Sequence, residues 1–310
     1  MFRTIMVPLD GSLFAEAALG VAARLAGTAG AELKLVTINE PQMTLVPVAD
    51  IPISTGPDDL EVRAQRHEYL AATALQLGVV GPGPVSYDLV DGLAGPALAH
   101  WIEQHVPDLV VMSTHGRGPL SRFWLGSVAD HVVRHVSVPI LLLRPKDGDD
   151  APAEQEAYAF KSAIVALDHS VESEAILEPL KQFATLLDTH LTLIHVVEPI
   201  LGVYGGMPSY PAPASPDLIE LLQSRAQARL DELADGLRAS GLRVATKVVF
   251  SMGIAATLLR LAEEGAKDFV ALTTHGATGF RRMLMGSVAD KVIRGADRPV
   301  LVLRPPPREG

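Results

Sequence analysis

The sequence predicts an α/β fold in which a doubly wound, five-stranded parallel sheet with helices on both faces occurs twice in tandem. Three observations predict it. Strand-like runs alternate with helix-period stretches, the strands are continuously apolar rather than alternating, and the second half of the chain repeats the first. The repeat is plainest at 114–145 and 274–305, THGRGPLSRFWLGSVADHVVRHVSVPILLLRP and THGATGFRRMLMGSVADKVIRGADRPVLVLRP, where 16 of 32 positions are identical. The offset of 160 residues from Thr114 to Thr274 is too long for a solenoid unit and suits a whole domain. Upstream the offset is 158: TIMVPLDGS matches AIVALDHS, setting Asp10 against Asp168, and LKLVTINEP matches LTLIHVVEP, setting Ile38 against Val196. Two residues are therefore inserted in the second copy, expected near 250–253.

The elements of one copy follow in order. An apolar run at 3–9 reads as the first strand, and the helix-period stretch at 13–26 as the helix that leaves it. A second strand at 32–38 precedes a long amphipathic helix at about 59–77. A weaker strand at 85–90, a helix at 95–105 and a strongly apolar strand at 108–113 come next, followed by a short helix at 127–135 and a last strand at 139–144. Right-handed crossovers place the carboxyl ends of the first and fourth strands side by side, where such sheets bind ligands. The stretches 41–58 and 199–217, rich in Pro and Gly, are expected to be long loops after the second strand of each copy. The acidic, Ala-rich segment at 147–159 reads as a linker between domains 1–146 and 160–310.

Composition narrows the function. The 310 residues are 48% hydrophobic and 20% charged, which suits two globular domains and excludes a disordered or collagenous chain. With 26 Lys plus Arg against 36 Asp plus Glu, the net charge of −10 offers no field for a nucleic acid. Zero cysteines exclude disulfides, thiolate metal sites and cysteine nucleophiles. No apolar run is long enough to span a membrane and the start lacks the pattern of a signal peptide, so a cytoplasmic protein is expected.

The chemistry-bearing motif follows the fourth strand. It reads S-T-H-G, nine residues, then G-S from Ser113 to Ser127, and T-T-H-G, nine, G-S from Thr273 to Ser287. Gly116 and Gly276 permit a sharp turn beside an anion. Gly126-Ser127 and Gly286-Ser287 open helices whose free N–H groups favour phosphate. Glycine and serine also begin helices for capping alone. Asp10 and Asp168 have the chemistry to accept ribose hydroxyls or approach a phosphate-bound Mg²⁺, and equally that of a cap for the next helix.

With the strand that ends in Asp and the trailing PVLVLRP-type strand, this motif closely resembles the universal stress protein family, over nearly the whole chain as two tandem Rossmann-like domains. The resemblance implies binding of ATP, or of AMP or ADP, with Mg²⁺ near Asp10 and Asp168. In the first copy it implies contacts from Pro8, Leu9, Asp10, Ile38, Met112, Ser113, His115, Gly116, Arg117, Gly126, Ser127 and Val128. In the second it implies Ala166, Leu167, Asp168, Val196, Leu272, Thr273, His275, Gly276, Gly286, Ser287 and Val288. Members that bind ATP carry a Gly where this chain has Ser113 and Thr273, whose side chains can crowd the phosphates. The resemblance also implies a nucleotide-dependent stress or signalling module. Single-domain members dimerise through their last strands, so an intramolecular pairing of 138–145 with 298–305 is expected, with a further homodimer open.

Other features have plainer readings. His131 and His135 are spaced to clamp a metal, but Lys291 and Gly295 stand there in the second copy. His115 and His275 are expected to support the turn. Asp130–Arg134 and Asp290–Arg294 are expected to be helix-supporting ion pairs. The loop lacks the Lys of G-x-x-x-x-G-K-(S/T), so efficient hydrolysis is not expected; slow hydrolysis and a ligand-independent interaction protein are the alternatives. Arg117, Gly11 and Ser113, against Ala277, His169 and Thr273, favour the first site about tenfold, unless His169 stacks on a base.

Overall fold

The computed structural model describes residues 1–41, 43–45, 52–54, 56–80, 83–114, 125–144, 158–198, 216–276 and 285–306. They fall into two compact units, Met1–Tyr158 and Ala159–Gly310. Among the described residues no helix is long and apolar enough to cross a membrane.

The first unit begins with β1 (Thr4–Pro8), whose three central residues are buried, and α1 (Leu13–Ala29). Ser12 caps α1 by accepting the Ala15 N–H at 3.2 Å, and Gly30 ends it in the left-handed conformation at φ 65°. Next come β2 (Glu32–Asn39), the short strands β3 (Met43–Leu45) and β4 (Pro52–Ser54), and α2 (Gly56–Val80). The remaining elements are β5 (Val85–Asp91), α3 (Ala94–His105), β6 (Leu109–Ser113), α4 (Ser127–His135) and β7 (Ile140–Leu143). All pairings in the main sheet of this unit are parallel and give the order β7-β6-β1-β2-β5. The chain thus winds outward from β1 in one direction and returns to β6 on its other side. That reversal opens the crevice where β1 and β6 end.

Two details depart from the sequence reading. The loop 41–58 contains an antiparallel pair, β3 with β4, in which Met43 faces Ser54 and Leu45 faces Pro52. Three-residue strands are too short to show a period, which is why only a loop is legible there. The two inserted residues of the second copy also separate. Gly92 N–H bonds Asn39 carbonyl as Ser251 N–H bonds Val197 carbonyl, an offset of 159, whereas Leu93 and Gly253 both stand just before the next helix, an offset of 160. One insertion therefore lies between 251 and 253 and the other upstream.

The second unit contains β8 (Ser162–Ala166), α5 (Val171–Glu174), α6 (Leu177–Leu187), β9 (His190–Val197), α7 (Pro216–Ala239), β10 (Val244–Phe250), α8 (Ile254–Glu264), β11 (Phe269–Thr273), α9 (Ser287–Gly295) and β12 (Val300–Leu303). Its parallel order is β12-β11-β8-β9-β10, the same winding. Where the first unit has one helix, the second has α5 and α6. Pro179 has no N–H to give the Ala175 carbonyl, so a continuous helix would leave that acceptor unpaired. The base of this core is aromatic: Phe160, Phe183 and Phe269 are fully buried in edge-to-face contacts at 5.3–5.6 Å. The linker region 147–157 lies outside the described residues.

Candidate functional site

In the second unit the end of β8 meets the turn after β11. A Cβ placed on Gly276 would lie 1.9 Å from Asp168 Oδ2 and 2.8 Å from its Cγ, so only a hydrogen at that α-carbon lets the carboxylate lie against the turn. Asp168 holds its own loop as well: Oδ1 accepts from the Ser170 N–H at 3.0 Å and from the Ser170 hydroxyl, and Ser170 caps α5 through the Ser173 N–H at 3.1 Å. Asp10 repeats this with Ser12, whose N–H and hydroxyl donate to Oδ1 at 2.9 and 2.6 Å. The aspartate therefore orients the capping serine, and both carboxylates remain exposed at the strand ends.

The turn closes on the start of the next helix. Gly286 N–H donates to the Thr274 carbonyl at 2.8 Å, and Gly126 N–H to the Thr114 carbonyl at the same distance. A Cβ on Gly286 would fall 3.0 Å from that carbonyl oxygen. Unlike α1 and α5, neither α4 nor α9 has a side-chain cap. With the Gly126 and Gly286 N–H groups bonded to the Thr114 and Thr274 carbonyls, the N–H groups of the first helical turn that follow have no side-chain cap from the residue before the helix, which is chemistry that suits an anion. Ser127 and Ser287 are exposed, while Val128 and Val288 are half-buried.

The other expected residues divide between wall and surroundings. Pro8, Ala166 and Ile38 are half-buried at strand ends; Leu9, Leu167, Val196, Met112 and Leu272 are buried. Ser113 and Thr273 are nearly buried, at 8% and 7% exposure. The Thr273 hydroxyl turns back to the His275 carbonyl at 2.7 Å, so it is engaged by its own loop. His275 Nδ1 is 2.9 Å from the Thr274 hydroxyl, which holds the ring to the turn. His115, Gly116 and Arg117 lie outside the described residues, as do Arg122, Ala277 and Arg282. Arg134 grips Asp130 at 2.7 and 2.9 Å, and Arg294 meets Asp290 at 2.9 Å; these are the expected ion pairs within the helices.

Beside the second site lies a cavity of about 400 Å³ lined by His169, His195, Val197, Leu222, Arg225 and Arg229. The sequence did not mark it as a unit, because its residues come from a loop, a strand and a distant helix. His169 occupies the left-handed region at φ 63°, where the first copy has Gly11 at φ 75°. Its ring packs on His195 at 4.0 Å, and both its nitrogens are buried with no hydrogen-bond partner among the described residues. His195 donates from Nδ1 to the Leu167 carbonyl at 2.8 Å. Arg229 binds Glu174 with two bonds at 2.7 and 2.9 Å, where Tyr69 donates to Glu16 at 2.8 Å in the first unit.

Burial first, then the nearby His195 and Arg229, push His169 down to about 4. Above the ordinary histidine value both folded and unfolded chains hold a neutral ring; between 6.5 and about 4 only the unfolded chain takes the proton, so stability falls as pH falls through that window. Part of the ring is solvated, so the expected loss is on the order of 1–2 kcal/mol. Urea unfolding at pH 7.5 and pH 4.5 checks it: His169→Gly, the residue of the first copy, should lose less stability on acidification than the parent. Equal losses would remove His169 from the account.

A model of the universal stress protein family matches this chain twice, over residues 1–144 and 159–304. The chain belongs to the universal stress protein family. A universal stress protein of Mycobacterium tuberculosis (strain ATCC 25618 / H37Rv) is 27% identical over 306 residues, covering 97% of this chain and 96% of that one. One from Methanocaldococcus jannaschii is 30% identical over 154 residues, covering 48% of this chain and 85% of the relative. The crystal structure of a universal stress protein from Archaeoglobus fulgidus shares the fold, with a TM-score of 0.64, 19% identity and coverage of 98% of this chain and 96% of that one. As a tandem universal stress protein, this chain has the strand-end aspartate and the T-H-G, nine residues, G-S spacing once in each unit.

Proposed function

We propose that this universal stress protein binds ATP, or a related adenine nucleotide, through domains 1–146 and 160–310 joined by the linker 147–159, and acts as a cytoplasmic stress-response or signalling module. The observation that carries the reading is the contact of Asp168 with Gly276 beside the uncapped start of α9. It unites a carboxylate suited to ribose or to nucleotide-borne Mg²⁺ with main-chain donors suited to phosphate. The strand-end residues Pro8, Leu9 and Ile38, and Ala166, Leu167 and Val196, would form the walls for ribose and base. Among the described residues no group of three or more His, Asp or Glu side chains is placed to hold a metal, so Mg²⁺ would arrive with the nucleotide. Binding rather than turnover is the output.

A second reading has its own observation. A side chain at Gly276 would overlap Asp168 and one at Gly286 would crowd the Thr274 carbonyl, whether or not a ligand is bound, as a fold-only role for the motif would need. Equilibrium dialysis of the intact chain against ATP separates the two, since a protein with purely structural glycines retains no nucleotide. Gly126→Val is expected to weaken ATP binding at the first site at least tenfold, measured with the second site disabled by Gly286→Val. His275→Ala is expected to change affinity little. Unchanged binding by Gly126→Val would remove the phosphate role of the helix start.

A further inference from the structure

The cavity beside the second site lies where the first unit has a polar network. Its wall on α7 is a single helix face, Leu222, Arg225, Ala226 and Arg229, at the i, i+3, i+4, i+7 spacing that brings side chains into line. Tyr69 and Arg229 each reach the glutamate of the preceding helix, and the fully buried Leu70 and Leu230 follow them, so Ala226 of α7 takes the place of Arg66 of α2. In the first unit the Arg66 guanidinium donates to the Ile38 carbonyl at 3.1 Å and to Asn39 Oδ1 at 2.8 Å. The second unit ends β9 with Val197 where β2 ends with Asn39, so the guanidinium and the amide that receives it are both gone. Two apolar side chains line the cavity of about 400 Å³ in their stead.

Side chains alternate along β9, so His195 and Val197 face α7 while Val196 faces the other side of the sheet. The cavity is therefore separate from the strand-end wall to which Val196 belongs.

Its charges are unevenly committed. Arg229 binds Glu174 at 2.7 and 2.9 Å and Glu232 at 2.6 Å, which neutralises it, and Asp168 of the adjoining loop is engaged by Ser170. Arg225 is exposed and has no carboxylate bonded to it among the described residues. A planar guanidinium takes a carboxylate through two parallel bonds. Around it Val197, Leu222 and Ala226 are apolar, and the His169 and His195 rings, packed at 4.0 Å, add aromatic surface. One uncommitted cation, an apolar lining and a volume within the range of small-molecule sites, about 300–1,000 Å³, point to one class of ligand.

We propose that this cavity is a second ligand site, for a small aromatic carboxylic acid whose carboxylate is held by Arg225 and whose ring enters among Val197, Leu222 and Ala226. The site belongs to the second unit alone, since the first has Gln65, Arg66 and Asn39 in the places of Arg225, Ala226 and Val197. It draws on no residue of the nucleotide reading and stands or falls apart from it.

Calorimetric titration of the full chain with 2-naphthoate, and separately with 2-naphthamide, tests this. One naphthoate is expected to bind with a dissociation constant below about 1 mM, and the amide, which has the same rings and no charge, at least tenfold more weakly. Arg225→Gln should lower naphthoate affinity at least tenfold. Arg260→Gln, which alters an arginine already paired with Glu264, should leave it unchanged. Ala226→Arg combined with Val197→Asn, the residues of the first unit, should close the site. Circular dichroism checks that the variants fold; should the double variant fail to fold, Arg225→Gln, at an exposed side chain, decides alone. Absence of naphthoate binding below about 1 mM would overturn the proposal. So would equal affinity for acid and amide, undiminished binding by Arg225→Gln or by a folded double variant, or displacement of naphthoate by ATP, which would put the acid in the nucleotide site.

Discussion

Gly276→Ala is expected to abolish ATP binding by the second domain and to destabilise that domain by about 1–3 kcal/mol. One methyl group suffices because the space is already occupied: the new Cβ would stand 1.9 Å from Asp168 Oδ2. The carboxylate cannot swing aside freely, since Oδ1 is tied to the Ser170 N–H and hydroxyl and Ser170 caps α5. Relief must come from moving the strand-end loop, the turn, or both. Either movement separates the carboxylate from the phosphate-facing helix start, and misplacement of a few tenths of an ångström is enough to weaken charge-assisted bonds. Dialysis against ATP in a chain whose first site is disabled by Gly126→Val reads the loss, and urea unfolding reads the stability. Asp168→Asn should retain the steric fit and much of the stability while weakening nucleotide contact. Wild-type affinity in Gly276→Ala would show that the carboxylate and turn act independently of the nucleotide.

The contrast between Gly276 and His169 shows what the sequence could and could not express. The spacing T-H-G, nine residues, G-S was readable because it repeats, and backbone approach to an anion needs glycine and a helix start at fixed separation. That Gly276 would meet Asp168, more than 100 residues away, follows from the adjacency of β8 and β11. The winding rules supplied that adjacency, but not the side chain lying against the turn. The alternation of strands and helices was legible because the central strands, β1 and β6 and likewise β8 and β11, are buried on both faces and read as continuous apolar runs. The β3–β4 pair was not, since three residues carry no period. The break between α5 and α6 lay hidden in one Pro179 within an otherwise helical pattern. His169 resisted reading for a different reason. Its place follows from a left-handed backbone that Gly11 adopts in the first copy, and its partner His195 comes from a neighbouring strand. Tertiary packing, not local pattern, put the rings together.

Phe183→Ala is expected to destabilise the second unit by about 3–5 kcal/mol. Phe160, Phe183 and Phe269 are each fully buried and contact one another edge to face, so truncation removes a whole ring from a filled space and exposes two others to a void. The corresponding positions of the first unit are Phe2, Leu25 and Leu109, also buried, so that core holds one ring where the second holds three. Hydrogen exchange on the intact chain is the suitable measurement because it reports each unit separately: amides of β8 and β11 should exchange roughly a hundredfold or more faster, with those of β1 and β6 little changed. The cluster also lies at the far end of the sheet from the site. Phe160 precedes β8 and Phe269 opens β11, whereas Asp168 and Gly276 follow those same strands. Stability and binding should therefore separate. At a temperature where the variant remains folded, ATP affinity should match the parent even though the unfolding midpoint has fallen. A Phe183→Ala protein that keeps its stability would mean the cavity collapses without cost. One that stays folded yet loses ATP would mean that strain at the amino ends of β8 and β11 reaches the loops at their carboxyl ends.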